Sequence, residues 1–207
     1  VTSIGDSAFY NCTSLTSVVI GDSVTSIGDH AFGECSSLTE IVIPDNVTSI
    51  GKSAFFGCVT LSKIYYNAIE CEDFTADHIV FGRAGVNGSG IEVRIGAKVK
   101  KIPAYLFFPT WDDHFMNNIS SIEFEKNSEC KSIGQGAFFL CSTLERVVMP
   151  DSVEIIGKKA FYDCSSLTEI VIPDNVISIE ERAFAGCYSL TNIIFRENSQ
   201  LISIGEF

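Results

Sequence analysis

The sequence is poor in cations, histidine and proline, and each shortage excludes something. Fourteen Lys and Arg stand against 26 Asp and Glu, a formal net charge of −12. So acidic a chain repels phosphate over most of its surface, which argues against a nucleic-acid partner. Only three histidines occur, in unlike contexts. No Ser/His/Asp or Cys/His arrangement, glycine-rich phosphate loop or nucleophile elbow stands out, so neither an enzyme nor a cofactor is expected. No Cys-x-x-Cys occurs among the eight cysteines, so no zinc ribbon or redox motif is supported. No apolar run approaches 18 residues, so this stretch inserts in no membrane, and no signal-peptide pattern heads it at Val1. Charged residues make up 19% against 46% hydrophobic, the wrong balance for disorder, and 207 residues can bury a sizeable core.

What the chain has is repetition. Val1-Thr2-Ser3-Ile4-Gly5 returns as Val24-Thr25-Ser26-Ile27-Gly28 and Val47-Thr48-Ser49-Ile50-Gly51, a period of 23 residues. Each copy leads to an Ala-Phe pair (Ala8-Phe9, Ala31-Phe32, Ala54-Phe55), then to Cys12, Cys35 or Cys58, then to Leu15, Leu38 or Leu61. The frame recurs at Ile133, Ile156 and Ile179, with Phe138, Phe161 and Phe184, Cys141, Cys164 and Cys187, and Leu144, Leu167 and Leu190.

Each unit reads as one small supersecondary element. Leu38-Thr39-Glu40-Ile41-Val42-Ile43 suits a short strand that packs Ile41 and Ile43 inward. Pro44-Asp45-Asn46 reads as a turn. Ala54, Phe55, Cys58 and Leu61 then fall at i, i+1, i+4 and i+7, a spacing that predicts one or two helical turns. The glycine before them, as at Gly51, is expected to take a backbone conformation other residues avoid. No unit buries its apolar face alone, so the units stack. The expected fold is an α/β repeat solenoid with a parallel sheet on one face and short helical turns opposite. Roughly eight units at about 4.8 Å each make a body on the order of 40 Å long.

The pattern Leu-x-x-Ile-x-Ile-Pro-Asp-x-Val-x-x-Ile-Gly-x-x-Ala-Phe-x-x-Cys-x-x-Leu resembles the BspA-like, Treponema pallidum-type class of leucine-rich repeat. Residues 1–66 and 119–207 match it closely and 91–107 loosely. The resemblance implies a leucine-rich-repeat solenoid in a surface or secreted protein, with adhesion among the roles proposed for such proteins.

The middle breaks the period. Ile50 and Ile102 are 52 residues apart, six more than two units, and residues 67–90 contain no copy of the motif. A second excursion, 108–118, holds the lone tryptophan, Trp111, beside Asp112-Asp113-His114. Both read as insertions bulging from one solenoid that spans 1–207, either carrying partner contacts or pinned to the body by Phe107, Phe108, Trp111 and Phe115. Val1 enters in mid-unit and Ile204–Phe207 begins another, so the chain reads as a segment of a longer one.

Six cysteines share one repeat position, and Cys130 replaces a valine, which predicts buried thiols rather than disulfides. Cys71 falls outside the register and is the candidate reactive thiol. Cys71, Asp73, Asp77 and His78 have zinc-ligand chemistry but match no closed motif, so no metal is expected. His30 occupies a slot held elsewhere by Ser or Lys and is expected to be exposed. Four Asn-x-Ser/Thr sequons occur, at Asn11, Asn46, Asn87 and Asn118, with Asn87 in the most open context.

The candidate binding surface is the outward face of the strands. One row of outward positions reads Val19, Val42, Tyr65, Arg94, Glu123, Val148, Val171 and Ile194. Its neighbour reads Ser17, Glu40, Lys63, Glu92, Ser121, Arg146, Glu169 and Asn192, alternating in sign as cross-strand charge pairing would require. Val42, Lys63, Tyr65, Glu92, Arg94 and Glu123, with Trp111 from the second excursion, are the candidate binding residues. The expected function is a cell-surface or secreted protein-interaction or adhesion module for a protein partner, such as a host or microbial surface protein. The alternatives are a structural spacer presenting another domain and an accessory carbohydrate-binding module.

Overall fold

The computed structural model describes residues 1–109 and 118–206. In chain order the strands are β1 (Ser3–Ile4), β2 (Ser26–Ile27), β3 (Glu40–Ile43), β4 (Ser49–Ile50), β5 (Lys63–Tyr66), β6 (Ile91–Ile95), β7 (Lys101–Ile102) and β8 (Ile119–Phe124). They continue with β9 (Ser132–Ile133), β10 (Arg146–Val148), β11 (Ile155–Ile156), β12 (Glu169–Ile172), β13 (Ser178–Ile179), β14 (Asn192–Phe195) and β15 (Ser203–Ile204). They form two rows, and every pairing is parallel. The longer strands give sheets β3-β5-β6-β8-β10 and β12-β14; the two-residue strands give β1-β2-β4 and β7-β9-β11-β13-β15. Ile41 and Ile43 point inward as the alternation requires, and a hydrophobic cluster runs from Ile20 to Ala183.

The expected helical turns are absent: no helix occurs among the described residues. Alternate amides explain why. His30, Phe32 and Glu34 donate to the carbonyls of Lys52, Ala54 and Phe56 in the next coil, at 2.8, 2.8 and 2.7 Å. Ala31, Gly33 and Cys35 donate to Gly28, His30 and Phe32 in their own coil, three residues back. Half the donors thus serve coil stacking, whereas a helix would keep every one inside the segment. His30 and Glu34 also sit at φ 53° and 58°, a left-handed conformation that breaks a helix twice in five residues. Apolar side chains land at i, i+1, i+4 and i+7 all the same, because two successive turns advance the chain as a helical turn does.

Stacked coils place like residues over like. Phe9, Phe32, Phe55, Phe81, Phe107, Phe138, Phe161 and Phe184 form a column with ring centroids 5.2–5.4 Å apart and planes within 24° of parallel. Beside it the cysteines stay as free thiols. At the shared repeat position, Cys35, Cys58, Cys141, Cys164 and Cys187 each donate to the carbonyl of the phenylalanine one coil back, as Cys58 does to Phe32 at 3.3 Å and Cys164 to Phe138 at 3.2 Å. The position therefore asks for a small apolar side chain with a weak donor, which cysteine supplies.

Phe81 in that column shows that residues 67–90 do not bulge. They form a coil of their own. Asn67 and Glu72 donate to Ile43 and Thr48 of the coil before, both at 2.9 Å, and Phe55 and Gly57 donate to Val80 and Gly82 at 3.0 and 2.9 Å. Cys71, Phe74, Val80, Phe81, Ala84 and Ile91 fill the inward positions, all buried. The extra length lies in the turns, Val86–Ser89 among them, where the side chains are exposed. The second excursion falls mostly outside the described residues, Trp111, Asp112, Asp113, His114 and Phe115 with it; Phe108 at its start is buried.

Cys71 is corrected by the same coil. It occupies the valine position rather than lying outside the register, is 2% exposed, and burial pushes its thiol up to about 11. A buried, protonated thiol is a poor nucleophile.

The repeat glycine is needed for a different reason from the one expected. Gly51 has no left-handed φ; instead a Cβ there would stand 2.3 Å from the Asp29 nitrogen and 2.4 Å from the Gly28 carbonyl carbon of the coil before. Gly51→Ala should therefore destabilise the fold by roughly 1–3 kcal/mol, because backbone has to move. Gly5→Ala, where nothing lies within 4 Å, should stay within about 0.5 kcal/mol of the parent in urea unfolding.

The thiols also set an alkaline limit. Burial raises Cys58 and Cys164 well above the ordinary thiol value, and Cys71 and Cys130 to about 11. The native state keeps these protons while the unfolded chain loses them above pH about 9, so stability is full below that and falls as pH rises toward 11. Under reducing conditions each of these four thiols should remove on the order of 1 kcal/mol at pH 10, read as a lowered urea midpoint relative to pH 8. An unchanged midpoint would contradict their burial.

Candidate interaction surface

Strand pleating places one set of side chains in the core and the alternate set on the long-strand face. Val42, Tyr65, Arg94, Glu123 and Val148 are successive Cα partners across β3, β5, β6, β8 and β10. Glu40, Lys63, Glu92, Ser121 and Arg146 form the neighbouring row. Of the candidate residues, Val42, Lys63, Glu92, Arg94 and Glu123 are exposed and Tyr65 is half-buried; Trp111 lies outside the described residues. The Arg94 guanidinium stands 6.0 Å from the centroid of the Tyr65 ring, a cation–π contact worth about 0.5–1 kcal/mol at an exposed site.

The expected pairing of charges across the strands does not close. No Lys or Arg nitrogen on this face, from Lys63, Arg94 or Arg146, comes within 4.0 Å of a carboxylate oxygen among the described residues. The ion pairs lie elsewhere: Lys52–Asp77, Lys98–Asp45, Lys100–Glu129, Lys101–Asp73, Lys131–Glu154, Lys158–Glu181 and Arg196–Asp151. Long side chains standing off a solvated strand gain little from closing on one another, so sign alternation leaves a charged, unlocked surface.

The other candidates disperse. Asp73 accepts from Lys101 and from the Ala104 amide, both at 2.9 Å; burial would raise its pKa, but these two contacts outweigh it and hold the carboxyl below its usual range. The His78 Nε2 is 2.8 Å from the Ile50 carbonyl oxygen, and the hydrogen bond from Thr75 lowers Asp77. These side chains serve separate partners, and Cys71 is in the core. His30 is exposed, at its left-handed position. Among the sequons, the Asn46 side chain donates to the Asp22 carbonyl at 2.8 Å and that of Asn118 to Gly85 and Gly88, whereas Asn87 is exposed.

One feature of this surface was not read from the sequence. The long-strand sheet stops at β10 and resumes at β12, and a groove of about 670 Å³ opens there.

A family model of the BspA-type leucine-rich-repeat region matches residues 2–77 and 111–207, in six copies. The unmatched stretch overlaps the coil that has lost the consensus. Among solved structures, the chain is similar to a leucine-rich cell surface protein of Faecalibacterium prausnitzii, with 27% identity and a TM-score of 0.45, over 98% of this chain and 61% of that one. It is also similar to a leucine-rich repeat protein of Bacteroides ovatus, with 26% identity and a TM-score of 0.44, over 99% and 72%. For the leucine-rich repeat protein of T. pallidum the values are 26% and 0.40, over 99% and 67%. The chain thus spans less than two thirds of the Faecalibacterium protein. No curated protein matches it.

Proposed function

The chain belongs to the BspA-type leucine-rich-repeat family, and from that premise we propose that it is a protein-interaction module of a cell-surface or secreted protein, binding a protein partner through its long-strand face. The observation that carries this reading is the division of the charges. Seven lysines and arginines bond to a carboxylate of another coil, while Lys63, Arg94 and Arg146 on the long-strand face make no ion pair among the described residues. Charges committed to the scaffold are unavailable to a partner; those on this face stay available, beside the apolar Val42 and Val148 and the Tyr65 ring. Tyrosine and arginine are among the residue types enriched at the energetic centres of interfaces. Segment 108–118, with Trp111, remains part of the proposal because it leads directly into β8. Of residues 67–90 the turn Val86–Ser89 is exposed, as are Glu70, Glu72, Asp73, Thr75 and Asp77, while the inward positions are spent on stacking.

The test is binding of the purified chain to a panel of extracellular-matrix and cell-surface proteins, beside a Tyr65→Ala/Arg94→Ala variant of unchanged circular dichroism. Saturable binding that weakens at least about tenfold in the variant, about 1.4 kcal/mol, is the expected result. Binding that the variant retains in full would move the site off this face. Absence of saturable binding to every panel member would favour a spacer.

A further inference from the structure

The charges of the long-strand face follow an order that binding in general does not require. From β3 to β10 one outward row reads Glu40, Lys63, Glu92, Ser121 and Arg146, strand by strand. Glu169 on β12 follows Arg146 by one 23-residue period, and Asn192 is its Cα partner on β14. Ser121 on β8 is the neutral centre of this row. One strand to either side stand Glu92 and Arg146; two strands to either side stand Lys63 and Glu169. The row is therefore antisymmetric in charge about β8. That is the condition for an isologous interface, in which a two-fold rotation sets each position on its opposite number.

A second copy turned about an axis along β8 brings the two long-strand faces together with their coils in reverse order. Glu92 then meets Arg146 of the second copy and Lys63 meets its Glu169; with the reciprocal contacts this closes two kinds of ion pair twice each. All four side chains are exposed, and none makes an ion pair within the chain among the described residues. In the neighbouring row Val42 meets Ile194, 38% and 42% exposed, and the Tyr65 ring meets Val171. Glu123 alone meets its own counterpart. Each Glu123 there has its own Arg94 one strand away on β6 and the second copy's Arg94 opposite Val148 on β10, so the two carboxylates and two guanidinium groups balance.

Other placements set like on like. An axis midway between β6 and β8 puts Lys63 on Arg146 and Glu40 on Glu169. An axis along β6 puts Glu92 on Glu92 and Arg94 on Arg94, and one along β10 puts Arg146 on Arg146. A copy turned about the stacking direction instead buries Glu40, Arg146 and Glu169 against Val42, Val148 and Val171. Like charges and charges on valine both cost free energy when water leaves.

We propose that the long-strand face binds a second copy of this chain, as a two-fold dimer whose axis runs along β8. The inference rests on the reading of that face as the binding face, and it adds regulation: the dimer covers Tyr65 and Arg94, so another partner has to displace a copy. Seven strands at about 4.8 Å, each showing about four residues at roughly 3.3 Å, make a patch on the order of 400 Å² per copy, half that of a standard interface. The dimer is accordingly weak and reversible.

Sedimentation equilibrium from about 10 μM to about 1 mM should show a reversible shift from monomer toward dimer mass and no further. Glu92→Arg and Arg146→Glu should each weaken the dimer at least about tenfold, and the two together should restore it to within about threefold of the parent. Lys63→Glu and Glu169→Lys, singly and combined, make the same test one strand further out should either of the first variants fail to fold. A monomer at every concentration, single variants without effect, or rescue by Glu92→Arg/Arg94→Glu instead would each overturn the proposal. So would open-ended growth that ignores these substitutions. Saturable binding to a panel protein by a chain that stays monomeric would overturn the dimer and leave the proposed function standing. A dimer that shows the charge-swap rescue, without binding to any panel protein, would do the reverse.

Discussion

The inter-coil hydrogen-bond ladder is the constraint on which the rest depends. Because alternate amides of a turn donate to the next coil, coils are held at the spacing of neighbouring strands, about 4.8 Å, even where no strand exists. At that spacing an aromatic ring at a fixed position must stack on its counterpart, which accounts for the phenylalanine column at 5.2–5.4 Å. A Cβ at the crowded corner meets backbone, as at Gly51. The thiol reaches the carbonyl of the preceding coil because both are repeated at one height. Left-handed residues such as His30 and Glu34, each costing about 1–2 kcal/mol in isolation, persist because the ladder needs every second amide turned outward.

Much of this was legible from residue spacing, and the misreadings have physical sources. The period, the turn at Pro44, the inward Ile41 and Ile43 and the two outward rows follow from a pleat repeated in register, so a linear pattern maps directly onto the surface. The helical turns did not follow, because apolar spacing reports which side chains face inward and not how the amides are bonded. Ala54, Phe55, Cys58 and Leu61 would face the core from either structure. The coil at 67–90 was hidden because Val80-Phe81 replaces Ala-Phe, Ala84 replaces cysteine, and the turns are longer. A coil keeps its place by volume at the inward positions and by backbone bonds, and neither needs the consensus letters.

The candidate surface was legible as a row of residues but not as an electrostatic state. Alternating sign suggested pairing, yet the pairs form where side chains run along the edges of coils, as Lys131 does toward Glu154, and not where they stand off the sheet. What separates the two regions is geometry. Along the edge, lysine and carboxylate lie side by side on successive coils, while on the face each side chain extends into water, and desolvating it for one surface contact gains little. A surface of unlocked charges is poorly self-satisfied, and such a surface gains most from a partner that supplies the missing counter-charge.

Proline has two effects in this architecture. After a long strand it presets the backbone for the turn into the short strand, which favours Pro44, Pro150 and Pro173 at one repeat position. The same ring deletes the amide that would tie the end of the strand to the coil before. That loss alone does not end a sheet: β10 is followed by Pro150 and still pairs with β8, whereas β10 and β12 form no ladder. Because the phenylalanine column and the short strands hold these coils together on their other sides, the fold tolerates the loss.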